Sequence, residues 1–422
     1  MNEQLLQFIW KHRLFQPGGV LRTRQGEPIR IEKPGRINTD AGPDFTEAHI
    51  RFDDVLLVGN VELHVRTSDW QRHGHQHDKR YDNIILHVVY EHDTETAHER
   101  HPVLELKPLL PAKVLQRYGL MMQHPHQVPC GPLLKGVDGF ILSTWKHRLV
   151  VERLQRKSEW IQELLQLTQG NWQETFYMVL CHYWGMKVNA VPFELLARSL
   201  PQQVLGRHRG RLIEVEALLL GQAGLLGSTT PDAYEAELQQ HYQHLRRKYQ
   251  LQPMEPHQWK YLRMRPNNFP PVRMALLAAL VHQSNSLLAA VTDAHSLEEL
   301  TDWFSVEASP YWNQHYRLGV TASRTMPKRL GKEAVKVLLI NAVIPTLFVY
   351  ARHIGDDALG YKALEWLEEI EAEDNTIIRS WTALGLKNQN ACDSQALIQL
   401  KESYCNVKKC LSCAIGHHLL KY

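Results

Sequence analysis

Acidic and histidine side chains able to do metal or acid–base chemistry are concentrated between Asp40 and Asp93. Asp44 follows a Gly-Pro break, and the later sequence GNVELHV places Glu62 and His64 two residues apart. Side chains at this spacing project from one face of a β-strand, while the apolar residues between them project from the other face. Two carboxylates at neighbouring strand ends suit Mg²⁺ or Mn²⁺, and the adjacent histidine suits a third ligand, a phosphate contact or a general base.

The hairpin between the two strands decides whether Asp44 and Glu62 meet. If Asp53–Asp54 is a two-residue turn, Asp44 lies opposite Leu63 and its side chain points away from Glu62. A three-residue loop, or a bulge near Gly59, brings both carboxylates onto one face. In the alternative interpretation, Asp44 closes a turn and Glu62 is an exposed strand residue.

A histidine-rich segment, SDWQRHGHQHDKRYDNIILHVV, follows directly and should lie near the same strand end. Imidazoles bind transition metals and transfer protons. The segment supplies four supporting candidates, which are His73, His75, Asp78 and Tyr81. The alternative for the histidines is a polar surface loop, and His87 in the next strand is typical of a hydrogen-bonded core histidine.

Four of the six cysteines lie near the end of the chain, at Cys392, Cys405, Cys410 and Cys413. Four thiolates at such short spacing suit a tetrahedral Zn²⁺ ion or an iron–sulfur cluster, and we expect zinc ahead of the cluster. The alternative is a terminal helical hairpin that carries reduced thiols. Cys130 and Cys181 are interpreted as unrelated to this group. So few cysteines in 422 residues indicate a reducing cytoplasm rather than a disulfide scaffold.

The elements that must position these residues change character along the chain. After an opening helix from about Glu3 to Phe15, alternating apolar residues and turn residues predict strands in five segments: GEPIRIEKPG, FTEAHIRFD, VLLVGNVELHV, NIILHVVYE and PVLELKP. A short helix or irregular turn fits between Ser68 and Asp82. From about Gly139 onwards the apolar period is helical. We therefore predict an α+β fold with a mixed α/β domain at 1–110, a linker at 111–138, a helical domain at 139–387 and a cysteine element at 388–422.

Bulk composition is that of an ordinary folded protein, with 44% hydrophobic and 22% charged residues and a net charge of +3. The most apolar run, Ala334–Ala351, contains a lysine, an asparagine and a proline, so a buried helix pair is expected there rather than a membrane span. Basic clusters at Arg207–Arg211, His244–Gln250 and Lys260–Pro266 could neutralise phosphates, but charged helix faces are usually only solvated surface.

The N-terminal pattern resembles the core of PD-(D/E)XK nucleases. In that core an Asp on one strand and a Glu-x-Lys on the next bind the metal and activate water. Pro43–Asp44 and Glu62-x-His64 stand at the matching places within about residues 1–95, and the order helix, three strands, helix, strand agrees. The chain departs from the pattern at His64, which replaces the lysine. Some nucleases of this type also carry an iron–sulfur cluster held by distant cysteines.

Over its whole length the chain is similar to a bacterial family catalogued as domain of unknown function 2851. The similarity rests on DAGPDF, GNVELH, SDWQRHGH, YDNIILHVV, GQAGLL, RPNNFPPVR, INAVIPTLF and YCNVKKCLSCAIG. No activity is attached to that family, and membership implies a cytoplasmic bacterial protein.

The expected function is that of a metal-dependent phosphodiesterase of the nuclease type, acting on DNA or RNA by metal-activated water. Asp44 and Glu62 would hold Mg²⁺ or Mn²⁺, and His64 would position or deprotonate the water. One alternative is a non-catalytic scaffold that keeps the nuclease-like fold and binds nucleic acid or a protein partner. A third interpretation is a zinc hydrolase built on the histidine cluster. No membrane partner is expected, and the oligomeric state is left open.

Overall fold

The computed structural model describes residues 1–15, 20–94, 101–123 and 128–422. The chain forms two compact units. The first unit contains residues 1–147, 380–386 and 398–422, and the second contains residues 148–379 and 387–397. Helices and a mixed sheet confirm the predicted α+β class. Residues 124–127 of the segment predicted as a linker lie outside the described residues, and the rest of that segment includes a helix, Ala112–Gln123.

The sheet of the first unit has seven strands: β1 (Leu21–Arg22), β2 (Pro28–Lys33), β3 (Arg36–Ile37), β4 (Phe45–Phe52), β5 (Val55–Arg66), β6 (Ile84–Glu91) and β7 (Val103–Glu105). The strand order is β1-β2-β4-β5-β6-β7, with β3 paired to β4 at one side. Pairing is antiparallel from β1 to β5, whereas β6 runs parallel to β5 and β7 runs parallel to β6. All five segments predicted as strands are confirmed.

The second half of β5 is buried on both of its faces. Val61 and Leu63 are almost fully buried, as their apolar character requires, and so are Glu62 and His64 on the opposite face. A strand with polar side chains buried on one face needs partners for them in the covering layer. The partners of Glu62 and His64 must therefore come from the segments that pack against β5.

Three helices of the first unit lie near the beginning of the chain: α1 (Glu3–Lys11), α2 (Asp69–Arg72) and α3 (Ala112–Gln123). The Asn2 side chain caps α1 by accepting a hydrogen bond from the Leu5 N–H at 2.9 Å. Helix α1 packs its apolar face against β5, and the polar Gln7 on the same helix reaches the start of β4. After β5 the chain turns through α2 and two short 3₁₀ turns, His75–His77 and Lys79–Tyr81, before entering β6. The predicted short helix between the strands is confirmed.

The rest of the chain is almost entirely helical, as predicted. Its helices are α4 (Gly139–Leu167), α5 (Trp172–Trp184), α6 (Met186–Ser199), α7 (Gln202–His208), α8 (Leu212–Gln222), α9 (Ala233–Tyr249), α10 (Pro270–Gln283), α11 (Leu287–Thr292), α12 (Leu297–Trp303), α13 (Lys332–Leu338), α14 (Ile344–Ile354), α15 (Asp357–Glu369), α16 (Thr376–Ala383), α17 (Ala391–Leu400) and α18 (Ala414–Lys421). A small hairpin, β8 (His315–Arg317) with β9 (Val320–Thr321), interrupts them.

The most apolar helix runs from Lys332 to Ile354 and is long enough to cross a membrane. It is one continuous element, because a π-helical turn, Leu339–Val343, joins α13 to α14. The sequence had predicted a pair of separate helices. Two thirds of its most apolar window is buried inside the protein. This burial is typical of the core helix of a soluble protein.

Candidate active site

A bulge in β4 brings Asp44 next to Glu62. The hairpin keeps a two-residue turn, with Phe52 paired to Val55, but the register shifts between Ala48 and Phe45, and Glu47 there adopts a positive φ of 56°. This shift places Asp44, directly before β4, opposite Glu62. The Asp44 N–H donates to Glu62 Oε2 at 3.0 Å, and Asp44 Oδ2 accepts from the Leu63 N–H at 2.9 Å. The predicted bulge, rather than a longer loop, therefore allows the carboxylates to meet.

A second irregularity lies on the other side of β5, where Asn60 pairs with Ile84 but Val61 pairs with Leu86. Gly59 makes this close approach feasible. A Cβ atom at position 59 would lie 2.4 Å from Ile85 Cγ2 and 3.0 Å from the Asn83 carbonyl oxygen. The strand that carries Glu62 is thus positioned by irregular pairing on both of its sides.

Gly59→Ala is expected to lower the free energy of unfolding by about 1–3 kcal/mol, because the added methyl group has no room beside β6. It should also reduce any activity of Glu62 by displacing β5. Urea denaturation measures the first effect. Gly119→Ala is the matched control, because no atom lies within 4 Å of the new methyl group in helix α3 and alanine favours the helix. Equal stability of Gly59→Ala and wild type would contradict this account of the bulge.

Both carboxylates are held in a desolvated environment. Glu62 is 5% exposed, and burial followed by the nearby Asp44 charge raises the pKa of Glu62 to about 8. Burial also raises the pKa of Asp44 to about 6, although hydrogen bonds from the Leu63 N–H and from Gln7 Nε2 oppose the shift. A buried carboxylate close to a half-buried one favours either protonation of one of them or a bound cation.

Three histidines complete the cluster, because a nitrogen atom of each of His64, His73 and His75 lies within 4.8 Å of the other two. His64 Nε2 and His73 Nδ1 are 3.2 Å apart. Glu62 Oε1 lies 3.4 Å from His75 Nε2 and 3.6 Å from His64 Nε2. Burial and the neighbouring histidines lower the pKa of His64 to about 2, so its ring is neutral, which is the form that ligates a metal.

These separations fit a first-row transition metal. A tetrahedral ion that binds nitrogen and oxygen at about 2.0–2.2 Å holds its ligand atoms roughly 3.3–3.6 Å from one another. The buried His75 Nε2 makes no hydrogen bond in the structure and lies toward Glu62, as expected of a ligand atom. Imidazole nitrogens favour Mn²⁺, Zn²⁺ or a similar ion over Mg²⁺. The residues present therefore fit a divalent metal ion that is held by nitrogen and oxygen together.

A surrounding layer orients the imidazoles. The buried His87 Nε2 lies 2.9 Å from His64 Nδ1, so His87 is hydrogen-bonded to the site rather than to the core alone. The Tyr81 ring stacks on His75 with ring centroids 4.0 Å apart. Trp70 contacts the rings of both His64 and His75. Such outer contacts fix ring orientation in metal sites.

The predicted site residues are not all used alike. Asp44, Glu62, His64, His73 and His75 come together, with Tyr81 beside them. Asp78 instead caps the Lys79–Tyr81 turn and binds Arg80, with 2.9 Å between Asp78 Oδ2 and Arg80 Nε. The sequence interpretation did not include Gln7 or Trp70 and assigned His87 to the core. Of these three residues, only His87 could have been assigned to the site from the sequence. It lies on the strand after the histidine segment, and parallel pairing of that strand with β5 sets it beside Glu62.

The cysteines divide between the two units. Cys405, Cys410 and Cys413 belong to the first unit, which also contains Cys130. Cys392 lies in the first turn of α17, in the second unit. No disulfide links any of the six cysteines.

In the basic cluster Arg207–Arg211, two side chains contact a carboxylate inside the second unit. His208 Nδ1 lies 2.6 Å from Glu214 Oε2, and Arg211 forms an ion pair with the same carboxylate.

The raised pKa of Glu62 predicts a pH dependence for the metal-free protein. A carboxyl group whose pKa rises from 4.5 to about 8 on folding stabilises the fold fully below pH 4.5, and this contribution is lost as pH rises through 8. We expect the stability of wild type relative to Glu62→Gln to fall by on the order of 1–3 kcal/mol between pH 5 and pH 8.5 in EDTA. Urea titrations at both pH values measure this difference. Mn²⁺ should restore wild-type stability at pH 8.5, and a pH-independent difference would contradict the burial of Glu62.

Comparison with known proteins yields one family. The family described as protein of unknown function (DUF2851) matches residues 3–376. Neither the curated proteins nor the solved structures contain a significant match to the chain.

Proposed function

The chain belongs to the DUF2851 family, and we propose that it is a cytoplasmic metal-dependent phosphodiesterase that cleaves DNA or RNA. The observation that carries the proposal is the meeting of Asp44 and Glu62 beside three imidazoles, with the Asp44 N–H 3.0 Å from Glu62 Oε2. The buried Glu62 and the half-buried Asp44 repel each other when both are ionised, and a divalent ion would stabilise the ionised pair.

The order of elements also supports a nuclease of the PD-(D/E)XK type. Helix α1 precedes the antiparallel strands β2, β4 and β5, and then α2 leads into β6, which is parallel to β5. This is the order of the nuclease core that the sequence resembles. Asp44 stands at the start of the middle strand and Glu62 on the next strand, as in that pattern.

Asp44, Glu62, His64 and His75 are the residues that would hold the ion. A bound divalent metal supplies two things in such a reaction: a lower pKa for water and stabilisation of charge on the phosphate. His64 is buried between His87 and His73, so its position is fixed. His73 is exposed at the mouth of the cluster and is placed to exchange a proton with solvent or substrate.

Exposed basic side chains lie in the segment that follows β5 and carries His73 and His75. They are Arg72, Lys79 and Arg80, of which Arg72 pairs with Asp69 and Arg80 pairs with Asp78. Cations at such positions neutralise the phosphates of a polynucleotide. This charge favours a phosphodiester substrate over a neutral one.

The histidine cluster favours a second candidate, a zinc hydrolase. Catalytic zinc is commonly held by three imidazoles, or by two imidazoles and one carboxylate, with a further position open to water. Both candidates use Glu62, His64 and His75, so the metal that restores activity separates them. A Mn²⁺ requirement supports the nuclease, and full activity with stoichiometric Zn²⁺ supports the zinc hydrolase.

The test is cleavage by the full-length protein after removal of metal with EDTA. Labelled single- and double-stranded DNA and RNA, and bis(p-nitrophenyl) phosphate, are incubated with added Mg²⁺, Mn²⁺ or Zn²⁺. We expect cleavage of at least one polynucleotide, with Mn²⁺ more effective than Mg²⁺ because nitrogen ligands surround the site. If no substrate is cleaved with any metal, the proposal fails, and the non-catalytic scaffold becomes the better assignment.

A further inference from the structure

Four cysteines of the first unit lie close together in the fold, although 275 positions separate Cys130 from Cys405 in the sequence. Cys130 precedes the 3₁₀ turn Gly131–Gly136, and Cys405, Cys410 and Cys413 lie between helices α17 and α18. All four line one cavity, together with the apolar side chains of Trp381, Leu400 and Ile415. Burial raises the pKa of the Cys405 thiol, and the nearby Cys130, Cys413 and Cys410 raise it further.

The backbone around the last two cysteines is folded tightly. Cys410 begins the short 3₁₀ turn Cys410–Ser412, and Cys413 caps α18. A Cβ atom at Gly416 would lie 2.1 Å from the Cys410 carbonyl oxygen. Only glycine therefore allows the first turn of α18 to pack against this loop, which directs both cysteines toward the cavity.

The four side chains are only 6–8% exposed, and no disulfide joins them. Buried thiols that face one another without forming disulfides are typical of a thiolate metal site. Lysines stand close by: Lys409 lines the cavity, and the buried Lys401 interacts electrostatically with Cys405. Positive side chains at these positions offset the negative charge of four thiolates.

The spacing of the sulfur atoms distinguishes the two kinds of thiolate site. A single tetrahedral zinc ion with Zn–S bonds of about 2.3 Å holds its sulfurs roughly 3.8 Å apart. Among the described residues, three or more ligand atoms within 4.8 Å of one another occur only at His64, His73 and His75. No three of the four cysteine sulfurs therefore lie within 4.8 Å of one another, which is a looser arrangement than the one around a single zinc ion. A cluster of several iron and sulfide ions holds its cysteines farther apart.

We propose that Cys130, Cys405, Cys410 and Cys413 ligate an iron–sulfur cluster of the [4Fe–4S] type. Cys130 takes the place that the sequence interpretation gave to Cys392, and the cluster replaces zinc as the preferred occupant. The cluster ties the C-terminal segment to residues near 130 within the first unit. Because metal ligation contributes directly to folding, loss of the cluster lowers the thermal stability of this unit.

Metal analysis of the full chain, purified without oxygen, tests the proposal. We expect about four iron and four labile sulfide ions per wild-type chain, with absorbance in the visible range. Cys130→Ser should reduce the iron content to less than a quarter of the wild-type value. Cys392→Ser is the matched control and should leave it unchanged.

Each alternative result overturns a stated part of the proposal. One zinc ion without labile sulfide would overturn the cluster, and loss of iron in Cys392→Ser but not in Cys130→Ser would overturn the ligand set. If Cys130→Ser is insoluble, native mass spectrometry of the wild type still decides, because a chain without bound iron and sulfide refutes the cluster. The readout is metal content, so failure of the nuclease proposal would not affect it.

Discussion

Glu62→Gln is expected to reduce metal-dependent cleavage by at least about 10³-fold. The substitution keeps the size of the side chain but removes the charge that a metal ion needs, at a residue whose Oε1 faces His64 and His75. A loss of this size corresponds to about 4 kcal/mol of transition-state stabilisation, which is within the contribution of a bound metal ion. Cleavage of a labelled oligonucleotide at saturating Mn²⁺ measures it.

The fold of Glu62→Gln should survive, because neutralising a buried carboxyl group removes a desolvation cost. Circular dichroism and urea denaturation verify this point. Glu27→Gln is the matched control, since it removes an exposed carboxylate next to strand β2 of the same sheet, and it should cleave at the wild-type rate. Equal rates for Glu62→Gln and wild type would remove Glu62 from the active site.

His64→Ala is expected to weaken Mn²⁺ binding by at least about 100-fold and to abolish cleavage. His64 lies in contact with Glu62, His73 and His87. Its loss removes a ligand and also removes a hydrogen-bond partner of the His73 and His87 rings. Loss of outer contacts alone costs 10- to 100-fold in metal affinity, and loss of a ligand costs more. Isothermal titration of the EDTA-treated protein with Mn²⁺ measures the affinity, with His49→Ala on β4 as the control.

His64→Lys separates two roles for this residue. If His64 acts as the lysine of the PD-(D/E)XK pattern does, the lysine variant should retain cleavage. If His64 is a metal ligand, as its distances to Glu62 and His75 favour, an ammonium group cannot replace it and cleavage is lost. We expect loss. Wild-type activity in His64→Lys would refute the ligand role.

Much of the first unit was predictable because local sequence specifies it. Apolar residues in β4, β5 and β6, bounded by Gly, Pro, Asn and Asp, predict the positions of the strands, and alternation from Asn60 to Val65 assigns the faces of β5. The same alternation puts Glu62 and His64 on one face. The helical period beyond Gly139 predicted the helical remainder in the same way. The family membership extends over these same segments.

The register of the sheet was not predictable. The bulge that unites Asp44 with Glu62 depends on Glu47 adopting a positive φ, and glutamate gives no signal for that conformation. The bulged strand β4 is held by pairing with strands on both of its sides, and this pairing exists only in the assembled sheet. The sequence therefore left the bulge as one of two alternatives, and the fold selected it.

The cysteines illustrate the same limit. Sequence proximity grouped Cys392 with the three C-terminal cysteines, whereas the fold sets Cys130 beside them. The sequence by itself determined the residue types of two ligand-rich clusters, the elements that carry them and the α+β class, because these follow from local periodicity and side-chain chemistry. Only the tertiary structure decided which side chains meet, because contacts between distant segments depend on strand register, bulges and chain return, which no local pattern encodes.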